Sequence, residues 1–115
     1  MNRGKLGEDI ALEFLSKKGY RLIERNYHSR FGEIDIIMKN DRYIIFVEVK
    51  LRKNSKYGTP AEFVTVKKQQ KIIITAEDWI INNKTELQPR FDVIEIYMPE
   101  NKAVSINHIE NAFNA

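Results

Sequence analysis

Apolar and polar positions recur along this chain with two different periods. Over residues 3–18, Leu6, Ile10, Ala11, Phe14 and Leu15 fall on one arc at about 100° per residue, with Asp9 and Glu13 facing away. That spacing predicts an amphipathic helix, and Gly19 in "KKGY" supplies its C-terminal stop. Glu8 departs from the pattern: it projects between Leu12 and Leu15, at the edge of the apolar arc, where a carboxylate can point inward. The period then shortens to that of strands in "YRLIERNY", "GEIDIIMK" and "RYIIFVEVK". The last two flank Asn40-Asp41, a tight-turn candidate, and are expected to pair as a hairpin.

Beyond the hairpin, "LRKNSKYGTP" carries Gly58 and Pro60 and reads as a basic loop. A second helix follows over roughly residues 62–82, with Ile72, Ile73, Ala76, Trp79 and Ile80 on its inner face and "NNK" at its end. "RFDVIEIYM" and "KAVSINHI" complete the chain as strands. The expected architecture is one α/β domain spanning 1–115, a mixed β-sheet flanked by helices, in the order α-β-β-β-α-β-β.

Composition narrows the chemistry. A chain of 115 residues with 43% hydrophobic content supports a single core. It has no cysteine, and its two histidines, His28 and His108, lie far apart, so a metal site would need oxygen ligands. No apolar run approaches the roughly 20 residues that cross a bilayer, and "MNRGKLGEDI" lacks the apolar core of a signal peptide, which makes a soluble cytoplasmic protein with no membrane partner the expectation. The net charge of +3 permits nucleic-acid binding without requiring it. Its distribution says more: "KLRKNSK" and "KKQQK" gather Lys50, Arg52, Lys53, Lys56, Lys67, Lys68 and Lys71 just after the third strand, either as a solvated surface or as a phosphate-binding one.

The charged residues within the apolar hairpin carry the candidate chemistry. With Asn40-Asp41 as a two-residue turn, Asp35 faces Phe46 and Glu33 faces Glu48. Asp35, Glu48 and Lys50 then share one face, and the two acids are diagonal neighbours about 7–8 Å apart. Two carboxylates so placed can converge on one cation, and oxygen ligands without histidine or thiolate suit Mg²⁺ or Mn²⁺. A cation held there lowers the pKa of its water and neutralises charge on a phosphate, while Lys50 positions or deprotonates the water or stabilises the transition state. Glu8 can complete the ligand set, and Lys68 and Gln69 of the second helix can reach the same place. An ion pair of Lys50 with Glu48 or Asp35 is the structural alternative. Asp92, in phase with Ile94 and Ile96, reads as a buried hydrogen-bonding residue, Trp79 as core, and Glu33 as a strand-end acid.

The ordered set "GEDIALEFLSKKGY", "RN", "GEIDII", "FVEVKLR", "GTPAEFVTVKKQQKI" and "RFDVIEI" resembles the YraN-like family of small, largely uncharacterised bacterial proteins, over nearly the whole chain. That family is grouped with the PD-(D/E)XK nuclease superfamily and is similar to archaeal Holliday-junction resolvases. The resemblance implies a restriction-endonuclease-like core with its acids on the central hairpin. By motif, Asp35 in "GEID" corresponds to the first metal-binding acid, and Glu48 and Lys50 in "EVK" to the acid-x-lysine pair. Glu8 matches the helix-borne acid of the resolvase-like branch, and Lys68-Gln69 the polar pair on the following helix. Ile34 stands where the superfamily's name-giving proline would be.

The activity so implied is a Mg²⁺- or Mn²⁺-dependent endonuclease acting on DNA, branched or otherwise structured. Asp35, Glu48 and Glu8 hold the metal, and Lys50 assists the attacking water. Arg52, Lys53, Lys56, Lys67, Lys68, Gln69 and Lys71 face the nucleic acid, without a sequence code. Resolvase-like proteins often act as homodimers, although the sequence shows no self-complementary surface. The alternatives are a non-catalytic nucleic-acid-binding or adaptor protein on the same fold and a purely structural interaction domain.

Overall fold

The two periods become two helices and five strands in the computed structural model, which describes residues 3–52, 64–99 and 104–115. The order is α1 (Arg3–Lys17), β1 (Arg21–Ser29), β2 (Gly32–Lys39), β3 (Tyr43–Arg52), α2 (Val66–Asn83), β4 (Gln88–Tyr97) and β5 (Ser105–Phe113). The strands form one sheet in sequence order. Pairing is antiparallel except between β3 and β4, which run parallel and therefore need the long crossover that contains α2. This is the α/β domain with a mixed, helix-flanked sheet that the patterning predicts.

Each helix buries one stripe on one face of the sheet. Ala11 and Leu15 of α1 pack with Ile36, Met38, Ile45, Val47, Ile94 and Ile96. On the other face, Ile72, Ala76 and Trp79 of α2 pack with Ile37, Ile44, Phe46, Phe91 and Val93. The first helix ends at the signal expected of it. Gly19, at φ 96°, lets Tyr20 N–H reach back to Leu15 O and Gly19 N–H to Ser16 O, a Schellman ending for α1. Thr65 caps α2 by accepting Lys68 N–H on its side-chain oxygen at 3.1 Å. The second helix thus begins at Val66, later than expected; residues 62 and 63 lie outside the described residues, as do residues 102 and 103 of the expected fifth strand.

The hairpin register differs from expectation. Asn40 belongs to the strand side of the turn: its N–H donates to Tyr43 O, and its side-chain oxygen accepts the N–H groups of Arg42 and Tyr43. The loop residues are therefore Asp41 and Arg42, and Ile37 pairs with Phe46 rather than with Ile44. The displacement is two residues, so each side chain keeps its expected face while acquiring a new partner. Continued one step past Ile36↔Val47, this register sets Asp35 directly across from Glu48 instead of diagonal to it.

Facing also reverses at one point. Ile36 and Met38 join the α1 side, yet Ile34, two residues before Ile36, joins the α2 side. On β1, Arg25 pairs with Ile36, and Tyr27, packed on the α2 side, pairs with Ile34. Between them stand Asn26, left-handed at φ 54°, and Asp35. Both strands turn over at this step, an arrangement that asparagine tolerates better than most residues.

Candidate functional site

Asp35 lies where β2 leaves β3. The recorded ladder between these strands ends at Ile36↔Val47, and the Asp35 carboxylate accepts Val49 N–H at 2.8 Å. Glu48, one residue before Val49, is only 7% exposed although charged. Its carboxylate is approached by Lys50 Nζ at 3.7 Å from its own strand and by Lys68 Nζ at 4.0 Å from the first turn of α2. The Thr65 cap holds that turn, and Gln69 spends its side-chain amide on Val64 O at 2.9 Å, so Lys68 and not Gln69 reaches the acid.

Electrostatics distinguish the two carboxylates. Burial pushes the Asp35 carboxyl up to about 7, with the Glu48 charge adding to the shift, Val49 N–H opposing it, and Glu8 and Glu33 adding further. The charges named on Asp35, those of Glu48, Glu8 and Glu33, are all negative. Glu48 is also raised by burial, against the opposing pull of Lys68 and Lys50. A buried acid with two lysines beside it and a half-buried acid whose neighbouring charges are acidic are a poor structural arrangement and a good receptor for a small hard cation.

Glu8 approaches from α1. Its carboxylate lies 3.5 Å from a guanidinium nitrogen of Arg25, which binds Asp9 more closely, at 2.8 Å. Arg25 Nε is buried and meets no acceptor among the described residues. A cleft of about 530 Å³ lined by Gly4, Lys5, Glu8, Arg25 and Asn26 opens at this point. Among the described residues no three carboxylate or imidazole groups converge as a ready metal cage. Asp35 and Glu48 form the near pair, and Glu8 stands by, held by Arg25.

The other sequence candidates divide by position. Lys67 and Lys71 are exposed on α2 and free to face a phosphate backbone. Arg52 is half-buried and donates to Glu95 at 3.3 Å, so it is not a simple solvated charge. Lys53 and Lys56 lie outside the described residues. Glu33 is exposed and pairs with His28 at 3.3 Å. Trp79 is core, with its indole N–H donating to Glu24 at 3.1 Å.

Three residues near the site escaped sequence reasoning. Arg25 and its neighbour Asn26 appear in the sequence only as "RN", with nothing local to show that α1 supplies the partners. Glu95, 1% exposed and in parallel register with Lys50, carries the signal that exposed Glu48, a lone acid inside an apolar strand, and could have been found by it.

A second polar cluster lies at the far end of α1. Asp92, fully buried as its phase predicted, accepts from Arg90 Nε at 2.9 Å and Nη2 at 2.8 Å and from Asn111 N–H at 3.0 Å, and is 2.7 Å from His108 Nε2. Lys18 Nζ, which can only donate, is 2.9 Å from His108 Nδ1, so Nε2 carries the proton toward Asp92. Burial would raise the Asp92 carboxyl, but His108, Arg90 and Asn111 outweigh it and hold it below its usual range.

Comparison with known proteins agrees with the motifs. Residues 7–96 match the model of the uncharacterised protein family UPF0102. A UPF0102 protein of Clostridioides difficile (strain 630) is 50% identical over 112 residues, covering 96% of both chains. One from Caldanaerobacter subterraneus subsp. tengcongensis is 46% identical over 96% of this chain and 93% of its own. One from Flavobacterium psychrophilum is 41% identical over 96% and 92%. With a family model spanning most of the chain and relatives this similar over their whole length, the chain belongs to the UPF0102 family, the YraN-like group.

Proposed function

We propose that this protein is a divalent-metal-dependent endonuclease that hydrolyses DNA phosphodiester bonds. The observation that carries the reading is the pair Asp35 and Glu48 at the end of the hairpin, Glu48 buried and Asp35 half-buried, with Asp35 pushed up to about 7 by burial and by the Glu48, Glu8 and Glu33 charges. A Mg²⁺ or Mn²⁺ ion bound between them would supply Lewis-acid stabilisation of the phosphate and a more acidic water.

The residues divide the remaining work. Asp35 is oriented by Val49 N–H, which leaves its other oxygen for a ligand. Glu48 is oriented by Lys50 and Lys68. Lys50 stands beside the Glu48 carboxylate, placed to hold the attacking water or to neutralise the pentacovalent phosphorane as it forms. Lys68, on the α2 side, is placed for a non-bridging phosphate oxygen, and Lys67 and Lys71 for the neighbouring phosphates. Glu8, positioned by Arg25, would complete the ligand set from α1.

The test is cleavage of labelled single-stranded, duplex, flap and four-way-junction DNA with Mg²⁺, Mn²⁺ or EDTA, beside the Glu48→Ala protein. Metal-dependent products from the wild type alone support the proposal; equal products from a clean Glu48→Ala preparation overturn it.

A second reading, a nucleic-acid-binding or adaptor protein without cleavage, has one observation in its favour. Glu8 is engaged by Arg25 and is not gathered with Asp35 and Glu48 into a three-acid group. This reading predicts DNA binding with no product in any lane.

A further inference from the structure

The turn between β1 and β2 presents the exposed pair Arg30-Phe31. Phe31 is 38% exposed, and the Arg30 guanidinium lies 4.9 Å from its ring centre. A partly exposed phenyl ring at a hairpin tip, with a cation stacked on it, offers a planar face to an aromatic partner. It is not loosely held. Ser29 Oγ accepts Phe31 N–H at 3.1 Å, and Gly32 lies so close to α2 that an added Cβ would stand 3.3 Å from Thr75 Oγ1 and 3.7 Å from Lys71 Cβ. The tip is pinned to the helix that also supplies the site.

Position along α2 gives the scale. Lys68 reaches Glu48, while Lys71 and Thr75, which back Gly32, follow three and seven residues later, about 5 and 10 Å along the axis. From Gly32, β2 leads in three residues to Asp35. Along α2, the contact with the hairpin tip at Gly32, the exposed Lys67 and Lys71, and Lys68 beside Glu48 therefore follow one another within about 10 Å, one or two nucleotide lengths.

We infer that Phe31, with Arg30 stacked on it, is a base-stacking platform that takes an unpaired nucleobase beside the phosphate that a cation at Asp35 and Glu48 would hold. The inference rests on the proposed nucleic-acid reading of that site and specifies its substrate class as a strand with at least one unstacked base. Every base offers a π-face to an aromatic ring, so stacking confers no sequence code. A fully paired duplex hides those faces in its own stack and gains nothing from Phe31. Lys67 and Lys71 contact phosphate in either case, so they cannot distinguish the two.

The test is titration of a single-stranded DNA oligonucleotide carrying 2-aminopurine, and of the blunt duplex of the same sequence, in EDTA so that nothing is cut. Wild type, Phe31→Ala and Phe31→Tyr are compared. Phe31→Ala should weaken single-strand binding roughly tenfold or more and abolish the 2-aminopurine signal, Phe31→Tyr should restore both, and duplex affinity should not change. Equal single-strand affinity and signal for wild type and Phe31→Ala overturn the inference, as does a failure of the wild type to bind single strands. Cleavage is scored separately. Phe31-dependent binding with no metal-dependent product leaves the platform standing and removes the nuclease; Glu48-dependent cleavage with no Phe31 effect does the reverse.

Discussion

The Asp35 carboxylate accepts Val49 N–H at 2.8 Å, a hydrogen that the hairpin ladder, continued two residues beyond Ile36↔Val47, would direct to Ile34 O. A side chain here takes the place of the main chain. The exchange satisfies a strand N–H where β2 and β3 part, and it holds the acid within reach of the Glu48 charge. Local backbone structure and candidate chemistry depend on the same hydrogen bond.

That acid gives stability an unusual pH dependence. Asp35 rises from its ordinary 3.8 to about 7 on folding, so between these values the folded state holds a proton that the unfolded state has lost. Its contribution is complete below about pH 4 and is lost as pH rises through 7, by at most roughly 4 kcal/mol. Metal-free thermal unfolding should show melting temperature falling from pH 5 to pH 8, with the slope reduced in Asp35→Asn. Mn²⁺ or Mg²⁺ should raise it more at pH 8 than at pH 5. A metal effect equal at the two pH values would count against a cation displacing that proton.

Lys50 is the second test. Lys50→Ala should cut single-turnover cleavage by about 10²–10⁴ while DNA affinity changes little, since Lys67, Lys68 and Lys71 remain. Because Lys50 opposes the rise of the Glu48 carboxyl, its loss should also move the acidic limb of the rate profile to higher pH. An unshifted profile would place Lys50 away from Glu48 during the reaction.

In the proposed reaction Arg25 would act through Glu8, which it holds at 3.5 Å, rather than on substrate. Arg25→Met should keep the stem's packing, free Glu8 and Asp9, and raise the Mg²⁺ concentration needed for half-maximal cleavage, with unchanged binding of DNA in EDTA. An unchanged Mg²⁺ requirement would show that Glu8 needs no such holding.

At the other end of α1, Asp92 is structural. Asp92→Ala leaves Arg90 buried without its carboxylate and should cost about 3–5 kcal/mol in urea unfolding. Since the Asp92 carboxyl is held low, its contribution is present above about pH 4 and disappears as pH falls through its folded value. The wild type should therefore lose stability in strong acid, and the variant should show less of that limb.

Which features were legible in the sequence follows from how each signal is written. Asp35, Glu48 and Lys50 were legible because a lone charge inside "GEIDII" or "IIFVEVK" contradicts the period of its own strand. Asp92 yielded to the same logic. The register did not, because Asn40 looks like a turn residue and acts instead as the acceptor that closes the turn from outside. Arg25 was invisible for a different reason: its meaning lies in Glu8 and Asp9, more than a dozen residues away on another element, and in the reversal at Asn26 that aims it there.

Strand β1 lies at an edge of the sheet and exposes Leu22 and Ile23, the kind of surface on which another extended chain can add. Its rhythm is broken twice within five residues, by the irregularity between Leu22 and Glu24 and by left-handed Asn26. An incoming strand would find its row of donors and acceptors out of step after two or three residues. The same reversal that delivers Arg25 to Glu8 thus makes this edge a poor template for another extended chain.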